Sequence, residues 1–187
     1  RQRQMCIRDR KGWNQIGFDD SHWRPVVVQE APKGILRPQM AAPVKIMERY
    51  DIQKVTKLNA EQIASASIST KRTVDPSAFV LDMGQNLAGF PEITVRGKRG
   101  QKVTLIVAEA LTDEGACNQR QTGRQHYYEY TLKGEGDETW HPRFSYYGFR
   151  YIQVEGAVLK GQKNPQKLPV LKNIQSCFVY NLSLIHI

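Results

Sequence analysis

The stretch Glu92-Ile93-Thr94-Val95-Arg96-Gly97-Lys98-Arg99-Gly100-Gln101-Lys102-Val103-Thr104-Leu105-Ile106-Val107-Ala108 decides the fold class. Ile93 and Val95 share one side of an extended chain, with Glu92, Thr94 and Arg96 on the other, and Val103, Leu105 and Val107 repeat the pattern. A period of two is the signature of a strand with one buried face. The spacer Gly97-Lys98-Arg99-Gly100 puts glycines where a tight turn demands positive φ, so these segments are expected to form a hairpin. Working outward, residues 127–132 and the run from Thr139 flank the polar spacer Lys133-Gly134-Glu135-Gly136-Asp137-Glu138 and predict a second hairpin. Residues 149–154 set Ile152 and Val154 against Tyr151 and Gln153, and residues 44–52 and 79–83 read as further strands. Apolar spacing of three and four occurs only weakly, over residues 60–68, as a short helical turn or a loop. The expectation is an all-β fold, an antiparallel β-sandwich with flanking linkers at residues 31–43 and from 158 onward, where proline, glycine and lysine accumulate.

The 187 residues suit one domain with attached pieces of another and bury enough surface to fold without staples. The 27 basic against 18 acidic residues give a net charge of +9, which raises the question of an acidic partner. The first ten residues, RQRQMCIRDR, carry four arginines against Asp9 and so supply +3 of that total, leaving +6. These ten and the closing LSLIHI differ in character from everything between them and resemble translated sequencing-adapter DNA. Residues 1–10 and 182–187 are therefore expected to be artefacts, with both true termini missing. Cys6, Cys117 and Cys177 have neither metal-ligand nor redox spacing, and a Cys117–Cys177 disulfide stays open. There is no apolar run of membrane-spanning length and no visible signal peptide.

Glycoside hydrolysis requires two carboxylates facing each other across the scissile bond. The candidates are Asp82, Glu109, Asp113 and Glu114, with Glu135, Asp137 and Glu138 in the polar spacer. The spacer acids read as solvated turn residues, and Glu109 as a strand-end residue with a structural hydrogen bond. His22, His126 and His141 stand beside no serine or cysteine in a nucleophilic arrangement, and His186 belongs to the suspect end. Arg120, Arg124, His126, Tyr127, Tyr128 and Tyr130 interleave basic and aromatic groups that could stack on sugars or bases. The strand reading instead buries Tyr128, Tyr130 and Leu132 and leaves Tyr127 outside. Trp140, Tyr146, Tyr147, Phe149 and Tyr151 read as core and edge residues. No catalytic residue, metal site or cofactor is assigned, and nucleic acid is not an expected partner because the basic residues are scattered through linkers and turns.

Four stretches carry a resemblance. Gly12-Trp13-Asn14-Gln15-Ile16-Gly17-Phe18-Asp19-Asp20-Ser21-His22-Trp23-Arg24-Pro25-Val26 resembles the end of the N-terminal sugar-binding sandwich of bacterial α-L-rhamnosidases of glycoside hydrolase family 78. Phe79-Val80-Leu81-Asp82-Met83-Gly84-Gln85-Asn86-Leu87-Ala88-Gly89-Phe90 and Ala108-Glu109-Ala110-Leu111 are similar to signatures of that family's concanavalin-like sandwich. So is Trp140-His141-Pro142-Arg143-Phe144-Ser145-Tyr146-Tyr147-Gly148-Phe149-Arg150-Tyr151-Ile152-Gln153-Val154-Glu155-Gly156. Many members carry Asp where this chain has Tyr128.

The resemblance implies a concanavalin-like, jelly-roll sandwich at residues 44–157. It implies a tail of the sugar-binding module at 11–30 and a linker at 158–181 leading to an (α/α)6 barrel that holds the catalytic carboxylates. The implied parent is an inverting hydrolase of terminal α-L-rhamnose in glycosides or polysaccharides, periplasmic or extracellular, with this sandwich packed on the missing catalytic domain. The alternative reading is an autonomous carbohydrate-binding module.

Overall fold

The computed structural model describes residues 12–65, 76–120 and 126–181. The chain divides into two units, Arg1–Pro38 and Gln39–Ile187. In the first, the described residues form turns, with the Ser21 amide donating to Asp19 Oδ1 at 3.0 Å and Phe18 set edge-on to Trp23 at 5.6 Å. Val26, Val27 and Val28 there are each exposed.

The second unit is the expected antiparallel sandwich. Its strands are β1 (Lys45–Asp51), β2 (Lys54–Lys57), β3 (Phe79–Arg96), β4 (Lys102–Ala108), β5 (Tyr127–Thr131), β6 (Asp137–Trp140), β7 (Tyr147–Glu155), β8 (Val158–Leu159) and β9 (Val170–Tyr180). One helix, α1 (Ala60–Ser65), occupies the start of the weakly helical stretch; residues 66–68 lie outside the described ones. It begins in a reciprocal cap, in which the Gln62 amide donates to Asn59 Oδ1 (2.8 Å) and the Asn59 amide to Gln62 Oε1 (2.9 Å). No helix among the described residues is long and apolar enough to cross a membrane.

The stretches expected as two strands, residues 79–83 and 92–96, belong to one 18-residue strand, β3, which serves both layers. Its first part lies between β2 and β7, in the layer β2-β3-β7-β4-β5; its last part lies between β9 and β6, in the layer β1-β9-β3-β6. The register slips between Asp82 and Leu87, where Gly84 takes φ 90°, and the strand curls there from one layer into the other. At Gly89 a side chain would strike the Cys177 carbonyl of β9, so the close crossing of these strands requires glycine.

Neither expected hairpin forms. β4 pairs with β5 and β7 but not with β3, and β6 pairs with β3 but not with β5. The reason is that Ile93 and Val95 on β3 and Val103, Leu105 and Val107 on β4 all enter one core, each nearly or fully inaccessible. They face each other across the sandwich, so residues 97–101 arch between the layers. Residues 132–136 do the same from β5 to β6.

The stretch 158–181, expected as a linker, instead supplies β8 and the central strand β9, which pairs with β1 and β3. Leu171 and Ile174 both reach the core although they are three residues apart, because the register shifts opposite Thr94 and Val95. An extra residue reverses the side-chain alternation and hides the strand's period.

The two ends of the sandwich differ. Lys45 pairs with Tyr180, so the strands by which the chain enters and leaves the sandwich meet at one end. At the other end, Arg96 pairs with Val170 and the loops 97–101, 132–136 and 156–169 gather.

Candidate functional site

Of the seven carboxylate candidates, Asp82, Glu109, Glu114, Asp137 and Glu138 serve as hydrogen-bond acceptors. Asp82, on β3 just before the curl, receives Arg150 of β7 in a two-pronged bond, Nε at 2.8 Å and a terminal nitrogen at 2.9 Å, and also the Gly84 amide at 2.8 Å. The Arg150 bonds hold its carboxyl below the usual aspartate range. Arg150 also lies 5.2 Å over the Tyr151 ring. Glu109 accepts from Asn86 Nδ2 at 3.0 Å, the structural bond anticipated for it. Asp113 and Glu114 sit in the turn of a strap, residues 109–120, that returns over the outer face of β4 and β7; Glu114 is lowered by its bond from Thr112.

The spacer acids depart from expectation. Glu135 is exposed, but Asp137 opens β6 and bridges Arg96 (2.5 Å) and Lys172 (2.6 Å). Glu138 is buried, 8% exposed. It accepts from the Tyr130 hydroxyl (2.6 Å) and from the amides of Lys133 (2.9 Å) and Gly134 (2.8 Å). Burial alone would raise its carboxyl; these donors, with the Glu135 amide, outweigh it and hold the group below the ordinary glutamate range. The bond from Tyr130 on β5 to Glu138 on β6 clasps the edge strands of the two layers together. Sequence reasoning missed this because a Glu in a run of glycines and acids reads as solvated, although its spacing of two from the half-buried Trp140 puts both on the inward side of β6.

The strap is held by glutamines. Gln153, fully buried on the outer face of β7 where a polar residue was expected to meet water, accepts from the Cys117 amide (3.1 Å) and donates to Glu155 (2.9 Å). Gln119 Nε2 donates to the Val107 and His126 carbonyls (2.8 and 2.5 Å), and its Oε1 accepts from the His126 amide (3.2 Å). Cys117 and Cys177 are free thiols, so the open disulfide is not made between them. Burial pushes Cys117 up to about 12 and Cys177 up to about 11, leaving both protonated at neutral pH.

The aromatic candidates separate. Tyr128 is buried, Leu132 enters the core, Tyr130 is half-buried against Trp140 at 5.1 Å, and Tyr127 is 46% exposed, as the strand reading required. Arg124 lies outside the described residues, as do Cys6, His186 and both suspect ends. Phe149 is core, and Tyr147 and Tyr151 are half-buried. Tyr146 is neither core nor strand edge: with Phe144 it projects from the loop before β7, the two being 54% and 99% exposed. His126 stacks flat on Tyr147 at 4.2 Å, and His141 stacks on Phe90 at 5.1 Å while its Nδ1 lies 2.9 Å from the Pro142 carbonyl. His22 is exposed. No cluster of three metal-ligating side chains occurs among the described residues.

Residues 72–180 match the family model of the bacterial alpha-L-rhamnosidase concanavalin-like domain, and residues 7–48 that of the alpha-L-rhamnosidase N-terminal domain. An alpha-L-rhamnosidase of Streptomyces avermitilis is 35% identical over 154 residues, which are 80% of this chain and 13% of that protein. One from Formosa agariphila is 31% identical over 156 residues, 79% of this chain and 14% of the relative. The solved alpha-L-rhamnosidase from Dictyoglumus thermophilum superposes with a TM-score of 0.69 at 30% identity, covering 91% of this chain and 17% of that one. The Streptomyces avermitilis enzyme complexed with L-rhamnose superposes at 0.63 and 30%, covering 92% and 15%. The chain thus spans about one-seventh of the length of the curated relatives it matches. Its curled sandwich, with the family model running from before β3 to the end of β9, makes it a member of the bacterial alpha-L-rhamnosidase family through that family's concanavalin-like domain.

Proposed function

We propose that this chain is the non-catalytic sandwich of an inverting alpha-L-rhamnosidase, packed beside an (α/α)6 catalytic domain and active on terminal α-L-rhamnose in glycosides or polysaccharides. The observation that carries this reading is the state of its carboxylates. Asp82, Glu114, Asp137 and Glu138 among the candidates, and Asp19 besides, are displaced downward in proton affinity, held as anions by hydrogen-bond donors and, at Asp82 and Asp137, by basic side chains. A general acid for glycoside cleavage needs the opposite, a carboxyl raised toward neutrality. An inverting enzyme also needs a partner carboxylate roughly 6.5–9.5 Å away with water between them. Here the acids tie arginine, asparagine and backbone amides into the sandwich, which is a scaffold's use of charge.

The reading as an autonomous sugar-binding module is weaker, since of its ring candidates Tyr128 and Tyr130 are committed to the core and to Trp140. Two experiments test the proposal. The purified chain is expected to hydrolyse an aryl α-L-rhamnoside no faster than buffer, and turnover by it overturns the non-catalytic role. Residues 39–181, exchanged for the matching domain of the Streptomyces avermitilis enzyme, are expected to preserve turnover with inverted anomeric product seen by NMR. A retained anomer defeats the inverting assignment, and an inactive chimera that folds defeats the scaffold role.

A further inference from the structure

At the end of the sandwich opposite the meeting of Lys45 and Tyr180, three loops distant in sequence are bonded to one another. The Gly100 amide donates to the Leu132 carbonyl and the Leu132 amide to the Gln101 carbonyl, both at 2.9 Å. Gln101 Nε2 donates to the Lys167 carbonyl at 2.9 Å, and Gly97 lies against Leu132 and Pro169. The loops present Lys98, Arg99, Lys133, Lys160, Lys163 and Lys167, all exposed, and Glu135 is the one acid within them. Of the acids that follow, Asp137 already bridges Arg96 and Lys172, and Glu138 is buried. Residues that look scattered along the sequence are thus gathered into a basic face.

The face is built. Lys167 holds φ at 54°, a region non-glycine residues adopt at a cost. Asn164 fixes the loop by bonding both the amide and the carbonyl of Leu168, each at 2.8 Å. Beside it runs a groove of about 420 Å³ that Lys57, Lys163 and three carboxamides line together with apolar residues, among them Phe79 and Val158. Ammonium groups pair with carboxylates without strict geometry, and carboxamides both donate to and accept from hydroxyls. The exposed rings Tyr127, Phe144 and Tyr146 belong to β5 and the loop before β7, away from these loops, so the face lacks the stacking platform that single-stranded nucleic acid requires.

We propose that this end docks acidic polysaccharide, that is, sugar chains bearing carboxylates; the choice of polysaccharide rests on the rhamnosidase reading above. The test measures binding of the whole chain to polygalacturonate, to its fully methyl-esterified neutral form and to a DNA duplex. The quadruple variant Lys98→Gln, Lys133→Gln, Lys163→Gln, Lys167→Gln is compared with a control that removes equal charge elsewhere, Lys33→Gln, Lys45→Gln, Lys54→Gln, Arg143→Gln. The distal variant is expected to lose about tenfold or more in affinity and the control about twofold. Wild-type binding is expected to weaken steeply between about 50 and about 200 mM salt, with the ester unbound. Equal loss in both variants, equal binding of the ester, no binding at all, or DNA bound as tightly as polygalacturonate at the same salt overturns the proposal. The readout involves neither rhamnose nor turnover, so a negative result leaves the rhamnosidase reading standing, and inactivity of the chimera leaves the binding result standing.

Discussion

The outer faces of the two layers solve the same problem in different ways. Over β4 and β7 the strap excludes water, and Ile106, Ala108 and Cys117 pack there while Gln153 and Gln119 satisfy backbone groups with neutral carboxamides. Over β9 and the end of β3 much of the face meets solvent, and charges pair in the open, Arg49 with Glu92 and both Arg96 and Lys172 with Asp137, while Gln175 donates to Asp51. A dry face can use only polar groups whose partners are complete, because an orphaned donor pays its full desolvation cost. A wet face tolerates broken pairs, since water replaces them and salt screens them.

The contrast is broken most severely by Ile106→Ala, which should cost about 2–5 kcal/mol in urea denaturation if the strap's underside is a true second core. A loss no larger than that of an exposed substitution means the strap is a loose cover. Next, Glu138→Gln, at the seam between the layers, should cost about 2 kcal/mol at neutral pH. Because the folded carboxyl is held low, its contribution is complete above the ordinary glutamate range and is lost as pH falls through the folded value. The gap between wild type and Glu138→Gln should therefore begin to shrink as pH falls below the ordinary glutamate range, and a gap independent of pH shows that packing, not charge, is at work. Gln153→Ala should cost about 1–3 kcal/mol by stranding the Cys117 amide, and hydrogen exchange at that amide should accelerate. On the wet face, Asp137→Ala should move the urea midpoint least, with the remaining difference disappearing in high salt. Finally, Cys117 and Cys177 should resist alkylation at pH 8 until the chain unfolds; labelling of Cys117 in the native state means that the strap opens.

Strand existence was legible wherever alternation was unbroken, as at Ile93 and Val95 or at Val103, Leu105 and Val107. It failed at β9, where the shift at Lys172 puts Leu171 and Ile174 on one side, and at Gln153, whose polarity is correct for water but whose environment is the strap. The role of Glu138 was not legible, because its partners Tyr130, Lys133 and Gly134 depend on how the loop folds.

By itself, then, the sequence determined that this protein is built from strands, which residues of most strands face inward, and to which family it is similar. These follow from local periodicity and from short motifs. Only the tertiary structure decided which strands pair, since the glycine spacers permit a hairpin or an arch equally well and the common core selects the arch. It also decided that the lysines of three separate loops share one face. Pairing and clustering are set by contacts between residues far apart in the chain, and period-two arithmetic does not reach that far.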